Sequence, residues 1–128
     1  MAYYKAVPYS LIKSVQKEGF LPSEWSGRVY LAGSLKEVAE AAIDLYYEGW
    51  RQEGINRIKW GIFQVAQDIP RSSLISDPES TSYGREKDRF YYTKSPIEKV
   101  KLIGIFNAKK GTIKYLSGKE KKLFEPWD

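Results

Sequence analysis

Tyr3-Tyr4-Lys5-Ala6-Val7, followed at once by Pro8, is the stretch on which the reading of this chain turns. Aromatic residues at its start and a β-branched residue at its end suit a short strand. Pro8 then opens a helix, because its missing N–H is one that a first helical turn leaves without a partner anyway. Leu11, Ile12 and Val15 share one face of that helix, and Gly19 stops it. Phe20-Leu21-Pro22 leave in an extended path, and Ser23 to Gly27 form a polar turn that carries Trp25. A second strand runs over Arg28 to Ala32. Ser34 and Glu37 then have the spacing of a capping box. The helix they open has Val38, Ala41, Ala42, Leu45 and Tyr46 as its buried stripe and ends at Gly49.

Working outward, Trp50 to Asn56 is a charged connection. Arg57 to Gln67 is the longest strand candidate. Ile58, Trp60 and Ile62 alternate there with Lys59, Gly61 and Phe63, so both faces are apolar and the strand is central; Pro70 terminates it. Arg71 to Lys87 is a polar loop with one helical turn near Ser72 to Leu74, long enough to suggest a functional or a mobile segment. Phe90 to Thr93 reads as a strand and Ile97 to Val100 as a turn. Lys101 to Asn107 and Thr112 to Leu116 form a hairpin around Lys109-Lys110-Gly111. Residues 108–128 add the hairpin's second strand and a basic tail, partly docked through Leu123, Phe124 and Trp127. The expectation is α+β, a mostly antiparallel sheet with two N-terminal helices, with 1–128 as a single domain.

The composition removes much chemistry. With no cysteine and no histidine there is no disulfide, no thiol nucleophile, no Ser-His-Asp triad and no ordinary zinc site, and no metal is expected. Asp, Glu, Lys, Tyr, Ser and Arg remain. No apolar run approaches the length that crosses a bilayer, and the N-terminus lacks a signal-peptide pattern, so the expectation is a soluble, cytoplasmic protein with no membrane partner. The net charge of +5 is concentrated late, at Lys99, Lys101, Lys109, Lys110, Lys114, Lys119, Lys121 and Lys122. It allows weak attraction to nucleic acid or to anionic ligands, against the plainer reading of a solvated surface.

Taken in order, the segments resemble the ADP-ribosyltransferase-like superfamily, most closely its small bacterial and phage members and the tRNA 2′-phosphotransferase branch. Tyr3 to Val7 is similar to the leading strand, which in the family reads apolar, Tyr, His, Gly, Thr. Glu18-Gly19-Phe20-Leu21-Pro22 is similar to the phrase that ends the first helix. Gly27 to Leu31, an alanine-rich helix, Ile62 to Val65, Asp77-Pro78, Tyr91-Tyr92, Ser95-Pro96-Ile97 and Val100 to Gly104 follow in the family's order. The resemblance covers residues 3–107. It implies NAD as cofactor, with nicotinamide held in a cleft between the leading strands, an aromatic ring stacked on it, and a carboxylate supporting an oxocarbenium-like transition state.

Carried over position by position, the resemblance puts Lys5 where the histidine stands and replaces the small Gly-Thr pair by Ala6-Val7, which crowds the nicotinamide position. It implies Tyr30 as the stacking ring, Ser34 just beyond it, and Arg28 beside the phosphates. Asp88 is the carboxylate whose distance before Ile97 best fits the family's glutamate, with Glu86 its neighbour. Each has a plainer alternative. Lys5 is then a surface residue on an edge strand, Arg28 is solvated, Tyr30, Trp25 and Trp60 are packing residues, and Asp88 belongs to a charged run with Arg85, Glu86, Lys87 and Arg89. Three functions compete. One is a diverged, nonenzymatic domain that binds a nucleotide or inhibits a host protein, of a size that fits a viral origin and so the host cytoplasm. The others are a NAD-dependent ADP-ribosyltransferase and a basic nucleic-acid binder using the lysine-rich hairpin and tail. The absent histidine favours the first.

Overall fold

The computed structural model describes residues 2–48, 58–76 and 90–125. Its elements in chain order are β1 (Tyr4–Pro8), a 3₁₀ turn (Tyr9–Leu11), α1 (Ile12–Glu18), β2 (Val29–Ala32), α2 (Leu35–Glu48) and β3 (Lys59–Val65). There follow a 3₁₀ turn (Arg71–Ser73), β4 (Ile75–Ser76), β5 (Phe90–Thr93), β6 (Val100–Asn107), β7 (Thr112–Tyr115) and β8 (Glu120–Lys122). The fold is α+β, with eight strands in one sheet in the order β4-β5-β2-β1-β3-β6-β7-β8. Every described pairing of named strands is antiparallel.

The two helices lie on opposite faces of the sheet. On one face Val38, Ala39 and Ala42 of α2 pack with Trp60, Ile62, Phe106 and Ile113 from β3, β6 and β7. On the other, Ile12 and Val15 of α1 pack against Val7, Val29, Leu31 and Phe63, together with Phe20 and Ile97. Alternation along β3 explains how one strand serves both cores: Trp60 and Ile62 face α2, while Gly61 and Phe63 face α1. A Cβ on Gly61 would meet the Ile12 side chain at 2.6 Å, so α1 lies directly on the backbone of β3. Burial on both faces is why a strand with two apolar faces sits inside the sheet.

Local chemistry sets the helix ends. Gly19 caps α1 at φ 74°, its N–H donating to Val15 O at 2.7 Å. The next residue, Phe20, forms a two-bond bridge with Ile97. At the start of α2 the Glu37 N–H donates to Ser34 Oγ at 3.2 Å, as the capping-box spacing predicts. The β6–β7 turn is held by Asn107, whose Oδ1 accepts from the Lys109 and Lys110 N–H groups, with Gly111 at φ 72° closing it.

Several expectations need correction. Ile97 is no turn residue: it is buried and bridges Phe20, a pairing across 77 positions of chain that leaves no local signal. The longest strand is β6, not β3, and β3 ends at Val65, before Pro70 is reached. Trp25 is 99% exposed at the tip of its turn, whereas Trp60 is a core residue. Leu11 falls in the 3₁₀ turn that precedes α1 and is exposed. Strands β4 and β8 were not anticipated. Leu123 and Phe124 do dock on the core. Gly49, Trp50 to Asn56, Asp77-Pro78 and Trp127 lie outside the described residues.

Gly19 and Gly27 both have positive φ but differ in their surroundings. A Cβ on Gly19 would run into the carbonyl of Ile97 and lie 2.9 Å from Glu98 Cα, whereas one on Gly27 would meet nothing within 4 Å. Gly19→Ala is therefore expected to destabilise the fold by about 2–4 kcal/mol and Gly27→Ala by about 1 kcal/mol, read as denaturant midpoints at constant slope. Equal shifts would refute the clamp between the end of α1 and Ile97.

Candidate functional site

The site arises from unequal pairing around β1. Along its whole length, from Tyr4↔Gln64 to Pro8↔Trp60, β1 is paired with β3. With β2 it pairs only at Tyr4↔Ala32. Beyond that point β1 and β2 make no further ladder pairs, and α2 packs across both strands. Between them lies a cavity of about 240 Å³. Tyr4, Lys5 and Ala6 of β1 line it, with Tyr30, Leu31 and Ala32 of β2, Val38, Ala41 and Leu45 of α2, and Phe90 of β5. The volume suits one planar ring system and is too small for a whole dinucleotide.

Lys5 is the basic residue in this lining. β1 is the fourth strand of eight, so Lys5 does not sit on an edge strand. The residue as a whole keeps some exposure, but its ammonium end is withdrawn from water, and burial pushes its pKa down to about 8. Nζ donates to Tyr30 O at 3.3 Å. The lysine thus supplies a donor to a β2 carbonyl that the unpaired stretch of β1 does not reach.

Tyr30 is 40% exposed and so is not a core residue. Its ring lies 6.0 Å from that of Tyr92, its cross-strand neighbour on β5. The Arg28 guanidinium sits 4.2 Å from the Tyr92 ring centroid, a cation–π contact. Arg28, Tyr92 and Tyr30 therefore make a ladder at the rim of the cleft, anchored by the buried Tyr92. Ser34 is not part of it, since its Oγ accepts from the first turn of α2. Glu86 and Asp88 lie outside the described residues. Phe90, two positions after Asp88, lines the cavity. By alternation Lys5 shares the face of Val7 and Phe63, and Tyr30 that of Ala32. They meet because Lys5 Nζ reaches the Tyr30 backbone carbonyl across the gap between β1 and β2. Leu45 and Phe90 were read as core and strand, and their place at the cleft was missed. The partial exposure of Leu45, at the margin of the α2 stripe, is the trace it leaves. Val7 belongs to the opposite core, so Ala6 alone narrows the cavity.

A lysine whose folded pKa lies near 8 while the unfolded value is 10.5 imposes a constant penalty below pH 8, where both states are protonated. Between pH 8 and 10.5 the unfolded chain binds more protons, so this group's contribution to stability rises with pH. Lys5→Met removes that dependence. The parent's stability relative to this variant should rise across this window, by no more than about 3.4 kcal/mol. A flat difference would mean that the ammonium is fully hydrated.

Among the described residues no group of three or more His, Cys, Asp or Glu is placed to hold a metal ion, and no helix is long and apolar enough to cross a membrane. Compared with known proteins, the chain stands apart: no family model, no curated protein and no solved structure matches it.

Proposed function

We propose that this chain is a diverged ADP-ribosyltransferase-like domain that works as a binding module, taking the flat ring of a nucleotide into the cleft between β1, β2 and α2. The observation that carries this reading is convergence. Lys5 and Tyr30, singled out on separate strands of the sequence, line one cavity between the two leading strands. Arg28 stands beside it through Tyr92. A ring in the cleft would meet the apolar side chains of Ala6, Leu45 and Phe90 with Tyr30 at the mouth, and Arg28 lies where a ribose phosphate leaving the cleft would pass. NAD, through its nicotinamide, and adenine nucleotides are the ligands of this class.

Binding rather than turnover is favoured by what stands in the histidine's place. Lys5 is engaged with a backbone carbonyl, and a point-charge ammonium does not reproduce the two-sided donor–acceptor geometry of imidazole. In this reading the domain holds a nucleotide or blocks a host factor, as a small viral protein could. The enzymatic alternative draws on Phe90, which ties the segment after Glu86 and Asp88 to the cleft.

Calorimetry with NAD, nicotinamide and AMP, run beside an assay for nicotinamide release, tests both readings. The expected result is binding without release, weakened about tenfold by Tyr30→Ala. Release that is abolished in Asp88→Ala would make the chain an enzyme. Absence of binding by all three compounds would end the nucleotide reading.

A further inference from the structure

On the α1 face, cover stops at Ile12, which sits over Gly61. Past that point β3, β6, β7 and β8 present two cross-strand rows. The first is Lys59, Asn107, Thr112 and Lys122, and the second runs from Ile105 to Lys114 and Glu120. A concavity of about 250 Å³ lies over them, closed at one side by Tyr9. Tyr9 is 54% exposed, and Lys59 Nζ lies 5.8 Å from its ring centroid. Lys59, Lys110 and Lys114 border the concavity against a single carboxylate, Glu120, while Lys122 is paired with Glu125 at 2.8 Å. Asn107 holds its turn through Oδ1, which leaves the amide NH₂ as its donor.

We propose that this uncovered end of the sheet binds single-stranded nucleic acid, with Lys59, Lys110 and Lys114 on the phosphates and Tyr9 stacked on a base. Charge complementarity selects a polyanion, and the sheet face adds what a bare lysine patch lacks: an exposed ring beside the cations, and an amide and a hydroxyl between them. An unpaired base offers its π-face to Tyr9, whereas a duplex hides its bases in the stack. The site lies on the face opposite the α2 cleft and is independent of what that cleft binds.

Fluorescence anisotropy of a labelled single-stranded oligonucleotide of about 12 nucleotides tests this, titrated across about 50–200 mM salt. Three neutralised phosphates should give a slope of log affinity against log salt near −2. Lys59→Ala with Lys114→Ala should weaken binding at least about tenfold at low salt and flatten the slope by about 1.4, since each lost phosphate contact contributes about 0.7. Tyr9→Leu should weaken binding about fivefold or more with the slope unchanged. Lys36→Ala with Lys101→Ala, two exposed lysines away from this face, should change neither. Failure to bind at low salt overturns the proposal, as does equal loss in the Lys36/Lys101 variant, which would reduce the effect to net charge. Duplex bound as tightly as single strand, with no effect of Tyr9→Leu, overturns the stacking assignment. An acidic protein segment that competes at equal charge without sensing Tyr9 would do the same.

Discussion

Everything distinctive about this sheet follows from the way β1 divides its hydrogen bonds. One side is paired with β3 over five residues, and the other meets β2 at a single pair, Tyr4↔Ala32. Backbone carbonyls left in a partly apolar cleft need donors, because an unsatisfied buried group costs about 1–3 kcal/mol. The Lys5 ammonium reaches Tyr30 O and meets part of that need. Val38, Ala41 and Leu45 of α2 roof the opening, and an alanine-rich helix suits the position because small side chains leave volume between helix and sheet. Full pairing of β1 with β2 would close the cavity and make a lysine at this position a liability. Splay, lysine and small-residue helix are thus one arrangement, each member of which requires the other two.

The parts of this arrangement differ in how visible they are in sequence. Strands β1, β2, β3 and β5 announce themselves through aromatic and β-branched residues in alternation, and α2 through Ser34, Glu37 and its apolar stripe. These are short-range signals with short-range causes. Edge strands β4 and β8 have two and three residues, and Glu120-Lys121-Lys122 carries no alternation at all. It becomes a strand through the backbone bonds offered by β7, with Leu123 and Phe124 docking behind it. Ile97 is held by Phe20, far away in sequence. Trp25 shows turn chemistry overriding hydrophobicity: Ser23 Oγ accepts from the N–H groups of Trp25 and Ser26, and the tight loop this makes projects the indole outward. Of the candidate site, the residue types at Lys5, Arg28 and Tyr30 could be read. Their meeting point could not, because it depends on where β1 and β2 part.

Lysines serve opposite purposes in the two regions. At Lys5 the cation is drawn out of water, at the expense of its charged form, and acts on one backbone oxygen. At Lys59, Lys110 and Lys114 the cations stay hydrated and act through their combined field. Bulk salt distinguishes the two. The Debye length is about 8 Å at physiological ionic strength, so the field of the open face is damped by the ions that surround it, while the bond between Lys5 and Tyr30 acts at 3.3 Å, well inside that length. The cleft is bounded by β5, β2, β1 and α2 and the basic face by β3, β6, β7 and β8, on opposite sides of the sheet. β3 ties them together through the buried Trp60, Ile62 and Phe63, as do the run of β1 from Lys5 into Tyr9 and α2, which packs on Phe106 of β6 and Ile113 of β7. A ligand on one face therefore neither blocks nor neutralises the other. Coupling between them would pass through these shared elements, and the dense packing of β3 on both faces resists the shift in register or twist that such a signal requires.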